Sequence, residues 1–79
     1  MNVSILSPLK SLFQGAATSV NLPGKVGAFT ILENHAPIVS TLDQGVITVT
    51  NNEEVTEIEI VSGFVEVHDN EITICVEQK

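Results

Sequence analysis

Apolar residues in this chain recur at every second position in short runs, and nearly every run is closed by a residue that ends a strand. Val3 and Ile5 stop at Ser7-Pro8. Val20 and Leu22 alternate with Ser19 and Asn21 and stop at Pro23-Gly24. Phe29 to Leu32 and Ile38 to Leu42 are short apolar segments, the second entered through Ala36-Pro37, where proline suits a strand's first residue. Ile47 and Val49 alternate with Thr48 and Thr50 up to Asn51-Asn52, a pair that tolerates left-handed backbone. Thr56, Ile58 and Ile60 then share one side of a strand whose other side carries Val55, Glu57, Glu59 and Val61. Ser62-Gly63 interrupts, Phe64 to Val67 resume, and His68-Asp69-Asn70 turns into Ile72, Ile74 and Val76 as a hairpin. Gly15 reads as a bulge or a bend. Only Pro8 to Phe13 lacks strand character; it is too short for a stable helix and reads as a turn. Eight to ten short strands at this spacing predict an all-β sandwich or barrel.

With 79 residues the chain reads as one domain, 1–79, small enough that a permanent partner would add stability it can hardly supply alone. Cys75 is the single cysteine, so no internal disulfide framework exists, and a reducing, cytoplasmic setting is expected. The net charge is −7, from ten carboxylates against three lysines and no arginine. That balance argues against nucleic acid, which needs cations to neutralise phosphates, and against direct docking on anionic lipid. A basic protein partner is the natural counterpart of such a charge. The run Glu53 to Glu59 reads mainly as a solvated strand face. Met1 to Ser4 shows no basic, then apolar, secretory pattern, and no stretch approaches the ~20 apolar residues of a membrane span. Membrane association is therefore expected only through another protein.

Residues 22–49 hold the two loops that invite chemical readings. Pro23-Gly24-Lys25-Val26-Gly27 has glycines and a lysine, but the lysine precedes the second glycine and a strand follows, which is not the context of a phosphate loop. Gly24 and Gly27 instead predict close backbone approach or positive φ in a tight, exposed loop. His35 and His68 lie in separate turns, and two histidines with one cysteine at unrelated positions do not form a metal set. Neither the serines nor Cys75 stand in a nucleophile–base context, and the carboxylates show no dyad. Asn2-Val3-Ser4 fits a glycosylation pattern by chance, given the absence of a secretory signal. No catalytic residue, metal ligand, nucleotide site or cofactor is expected.

The order of short strings is more specific than any one of them. LPG at 22–24, G-x-F-x-I-L at 27–32, HAP at 35–37, L-x-x-G at 42–45, SGFVEV at 62–67 and N-x-I-T-I at 70–74 together resemble the epsilon subunit of the rotary ATP synthase, called delta in mitochondria, over essentially the whole chain. The resemblance implies a flattened ten-stranded β-sandwich. It also implies a non-catalytic subunit at the foot of the central stalk, on the cytoplasmic face of the inner membrane. There it would be bound to the gamma subunit, rest on the c-ring, and rotate with both to couple proton flow to ATP synthesis. By position, Gly24, Lys25, Val26, Gly27 and Ala28 match the loop that touches the c-ring, with Lys25 and Ala28 where the family often has acidic residues. His35, Ala36, Pro37 and Ile38 match the segment against gamma, and Ser7 and Leu42 fall near the same face. Many members continue into a two-helix hairpin. This sequence stops at Glu77-Gln78-Lys79, so the expectation is a short form without the hairpin, and neither ATP binding nor hairpin-type inhibition is carried over. The alternative is a stand-alone β-sandwich module for a small ligand or carbohydrate. It requires a concave apolar pocket, and the absence of Trp and Tyr weighs against sugars.

Overall fold

The computed structural model describes residues 1–79, and every regular element in it is a strand. The nine strands are β1 (Asn2–Leu6), β2 (Ser11–Ala16), β3 (Ser19–Leu22), β4 (Phe29–Leu32), β5 (Ile38–Leu42), β6 (Gly45–Asn51), β7 (Glu54–Ile60), β8 (Ser62–His68) and β9 (Glu71–Glu77). They form a five-stranded sheet in the order β2-β1-β9-β8-β5 and a four-stranded sheet in the order β4-β3-β6-β7. The resemblance implies ten strands; nine form here, with one isolated bridge between Gly24 and Leu42 outside them.

Alternation places one side of each strand in the space between the sheets. Val3, Ile5, Val65, Val67, Ile72, Ile74 and Val76 come from the five-stranded sheet, and Val20, Leu22, Ile31, Ile47, Val49, Ile58 and Ile60 from the other. All 16 buried residues are apolar and no polar side chain is buried, so the fold rests on apolar burial and on the backbone ladders. The central pairing is parallel: Val3 lies beside Ile72 and Ile5 beside Ile74. It joins the two ends of the sequence, which no local pattern announces.

One local expectation is corrected. Ser11 to Phe13 belong to β2 and are not a turn; the turn is confined to Ser7–Lys10, where the Ser7 N–H donates to the Lys10 carbonyl at 2.9 Å. The strand is disguised because Ile5 pairs with Phe13 and Leu6 with Ser11, leaving Leu12 as an extra residue. A bulge reverses the parity of side chains, so Leu12 and Phe13 both pack against the core and the alternation is lost.

The β8–β9 hairpin closes on two residues, Asp69 and Asn70, with φ of 49° and 62°. Two successive left-handed residues make the primed turn whose twist matches paired strands. Asn70 also accepts a 2.8 Å hydrogen bond from the Asn34 N–H through Oδ1, tying the 33–37 loop to this turn. Asn70→Ala therefore combines left-handed strain with a lost hydrogen bond, and a loss of about 2 kcal/mol is expected in urea unfolding. Asn70→Gly keeps the turn, loses only the hydrogen bond, and should cost about half as much.

Candidate partner-binding surfaces

The five-stranded sheet turns one face to the core and one to solvent, and the solvent face is unusually apolar toward one end. Register aligns Leu6 of β1, Cys75 of β9, Phe64 of β8 and Thr41 of β5 in one row across the strands. The next row is Ser4, Thr73, Glu66 and Val39. Phe64 points outward because Val65 and Val67 point in; its parity partners are Glu66 and His68. It is 48% exposed, and Val39 at the sheet edge is 73% exposed. Beyond the first row an open groove of about 600 Å³ is lined by Leu6, Phe64, Thr41 and Glu77, with Ser7 on one side and Lys25 on the other.

The Gly24–Ala28 loop reaches this groove because its backbone is pinned to β5. Gly24 bridges to Leu42, and the Lys25 N–H donates to the Thr41 carbonyl at 3.2 Å. Both glycines are required there. A Cβ on Gly24 would sit 2.6 Å from the Gly27 carbonyl oxygen and 2.7 Å from the Phe29 ring, while Gly27 has φ 137°. Lys25, Val26, Gly27 and Ala28 are all exposed.

His35, Ala36 and Pro37 are exposed too, but at the opposite end of β5. The five residues of that strand separate the two loops by about 14 Å at ~3.4 Å per residue. The His35 ring donates from Nδ1 to the Ala36 carbonyl at 2.7 Å, a local contact. The structure thus brings Ser7 and Lys25 to one groove and leaves His35 at the far edge of the same sheet.

Two residues of the expected interface turn their side chains toward the core, Leu42 fully and Ile38 in part. Leu42 is 1% exposed and belongs to the core, and Ile38 faces the same way and packs against it. Ile38 pairs with the inward Val67 and Leu42 with Gly63, so the outward residues of β5 are Val39 and Thr41. Sequence reasoning missed Phe64, Leu6 and Val39. The available signal was Phe64, a large aromatic on the same parity as Glu66 and His68.

No three His, Cys, Asp or Glu side chains gather where they could hold a metal ion, and the only side-chain ion pair is His68 with Asp69 at 3.3 Å, exposed and so of little energetic weight. The two loops and the outer sheet face are the exposed, partly apolar parts of this sheet.

The family profile for the ATP synthase Delta/Epsilon chain, beta-sandwich domain, matches residues 1–79. The chain belongs to this family. Relatives include the ATP synthase epsilon chain of Leptospira borgpetersenii, 45% identical over 94% of this chain, and that of Thermosynechococcus vestitus, 40% identical over 96%. The chain spans about 58% and 55% of the length of those two proteins. Its fold is similar to a chain in the central stalk and c-ring structure of the Tetrahymena thermophila mitochondrial ATP synthase, with TM-score 0.81 and 21% identity, covering 98% of this chain and 63% of that one. It is also similar to a chain of the Euglena gracilis mitochondrial ATP synthase, with TM-score 0.87 and 18% identity, covering 94% and 48%. At these identities the structures establish a shared fold. As a member of the delta/epsilon family, the chain carries the outer-face row and the two loops on that family's β-sandwich.

Proposed function

We propose that this domain is a non-catalytic rotor element of the ATP synthase, which binds the gamma subunit and the c-ring and so helps couple proton flow to ATP synthesis. The observation that carries the reading is the family match over all 79 residues, on a domain whose outer sheet face exposes an aromatic and two aliphatic side chains. Apolar groups in water on a folded sheet are what a lasting protein interface buries. The gamma subunit takes that face, from Leu6, Ser7 and Phe64 across to Val39 and the His35–Pro37 loop. The c-ring takes the end that carries Gly24–Ala28. The domain then sits at the cytoplasmic face of the inner membrane, held there through the ring. The small-ligand alternative has only the open groove in its favour, whereas the family match spans the whole chain.

Photo-crosslinking residues placed one at a time at Val39, His35 and Lys25 test the assignment in the assembled complex. Val39 and His35 should link to gamma and Lys25 to subunit c. Links from Val39 and His35 to subunit c alone would overturn the division of faces.

A further inference from the structure

Two open sheets leave four edge strands, here β2 and β5 on one sheet and β4 and β7 on the other. An edge strand carries a row of unpaired backbone groups on which another chain can pair. Three of these edges are blunted by their backbone. β2 is broken by the bulge at Leu12, β4 has only four residues, and β5 is covered at its Leu42 end by the Gly24 bridge and the Lys25 N–H. β7 is the longest edge, seven residues in unbroken register with β6.

That register fixes which backbone groups β7 leaves open. β6 and β7 are joined through Asn52 and Glu53, so Asn51 and Glu54 form the hydrogen-bonded pair that closes the hairpin. Bonded pairs recur at every second residue. Thr56 and Ile58 therefore bond to β6, while Val55, Glu57 and Glu59 turn their N–H and C=O groups away from it. Two contacts agree with this phase. The carbonyl of Thr50, the partner of Val55, accepts from the Thr18 N–H at 2.7 Å on the β3 side, and the Glu59 carbonyl accepts from the Gln78 side chain at 2.9 Å. Gln78 thus caps one end of the edge; Val55 and Glu57 have no such cover.

The same three residues send their side chains to the outer face, since Ile58 and Ile60 are buried between the sheets. If a second copy pairs antiparallel on this edge, the symmetric register about Glu57 sets that residue opposite its own copy and Val55 opposite Glu59. Like charges directly opposite destabilise a strand pair. No cation offsets them at the centre: the neighbours of Glu57 across the sheet are Thr48, Asn21 and Thr30, and the only side-chain ion pair is His68 with Asp69. Lys79 follows Gln78 and so lies toward the Glu59 end.

We propose that Glu57 and Glu59 guard this edge: their charges keep β7 from pairing with β7 of a second copy, and the strand is a latent self-association surface. The run Glu53 to Glu59 then does more than solvate a strand. The inference is independent of the gamma and ring contacts, which are assigned to the outer face of the other sheet and to the Gly24–Ala28 loop.

The test is sedimentation equilibrium of the whole chain at neutral pH, with a melting curve for each variant. Wild type should sediment at the 8.5 kDa of one chain, and Glu57→Thr/Glu59→Thr at twice that mass. In that pair the Val55 and Glu57 amides should exchange with solvent about tenfold more slowly than in wild type. Val55→Pro added to the pair should restore the monomer, because proline removes an outward N–H that β6 does not use. Glu33→Gln/Glu71→Gln, with the same change in net charge away from β7, should stay monomeric. Glu57→Lys/Glu59→Lys should be monomeric alone and pair with wild type when the two are mixed, since lysine then faces glutamate. A folded Glu57→Thr/Glu59→Thr chain that stays monomeric overturns the proposal. So do a dimer that survives Val55→Pro or leaves the two amides unprotected, a Glu33/Glu71 control that dimerises equally, and a lysine variant that does not pair with wild type. None of these outcomes bears on the rotor reading.

Discussion

Ile74→Ala lowers the unfolding free energy by about 3–4 kcal/mol, read from urea midpoints at constant slope. Ile74 is fully buried on β9, between Ile5 of β1 and Val65 of β8, in the middle of the five-stranded sheet. Its three lost methyl and methylene groups each contribute about 0.8 kcal/mol of transfer, and the cavity adds the rest. The cavity cannot close easily, because both neighbouring strands are fixed in their ladders. A domain of 79 residues is stable by roughly 4–12 kcal/mol, so the change removes a large share of the total. No disulfide and no buried polar network stands behind the core to absorb the loss. Val55→Ala, on the exposed edge strand β7, should stay within about 0.5 kcal/mol of wild type. Equal costs at the two positions would contradict a sandwich held by this one core.

Phe64→Ala weakens binding to the gamma subunit about 30-fold, equivalent to ~2 kcal/mol, while the isolated domain stays folded. Phe64 sits in the row Leu6–Cys75–Phe64–Thr41 with half its surface in water, so the folded domain uses only part of its apolar area. A partner that covers the rest gains an aromatic anchor of the kind that dominates interface energies. Val46→Ala serves as the control, since Val46 is exposed on the outer face of the other sheet. Surface plasmon resonance with purified gamma, paired with a melting curve for each variant, separates binding from folding. Unchanged affinity for Phe64→Ala in a folded domain would move the gamma contact off this face.

Much of the architecture is legible in the chain because its cause is local. A period of two with strand-ending residues dictates β-structure, and Asn51-Asn52 and Asp69-Asn70 mark two hairpins whose backbone does turn left-handed at Asn52, Asp69 and Asn70. The start of β2 was hidden because the bulge at Leu12 breaks the alternation that identifies a strand. The loop roles of Gly24 and Gly27 were legible as well, one as a close approach and the other as a positive φ.

The contact surface was only half legible. The resemblance directs attention to Gly24–Ala28 and His35–Ile38, loops whose residues stand out in one dimension. It could not separate Val39 and Thr41 from Ile38 and Leu42, because both parities of β5 carry an apolar residue. Pairing with β8 decided that, by setting Leu42 opposite Gly63 and Thr41 opposite Phe64.

The amino-acid order alone determined that this chain makes short strands, where most of them turn, and that its surface is acidic, since each follows from neighbouring residues or from composition. Only the tertiary structure decided which side of each strand faces out and which strands are left as edges. The reason is that sheet register and the parallel β1–β9 pairing join residues as distant as Asn2 and Glu71, and such pairings arise only when the sheets close over a common core.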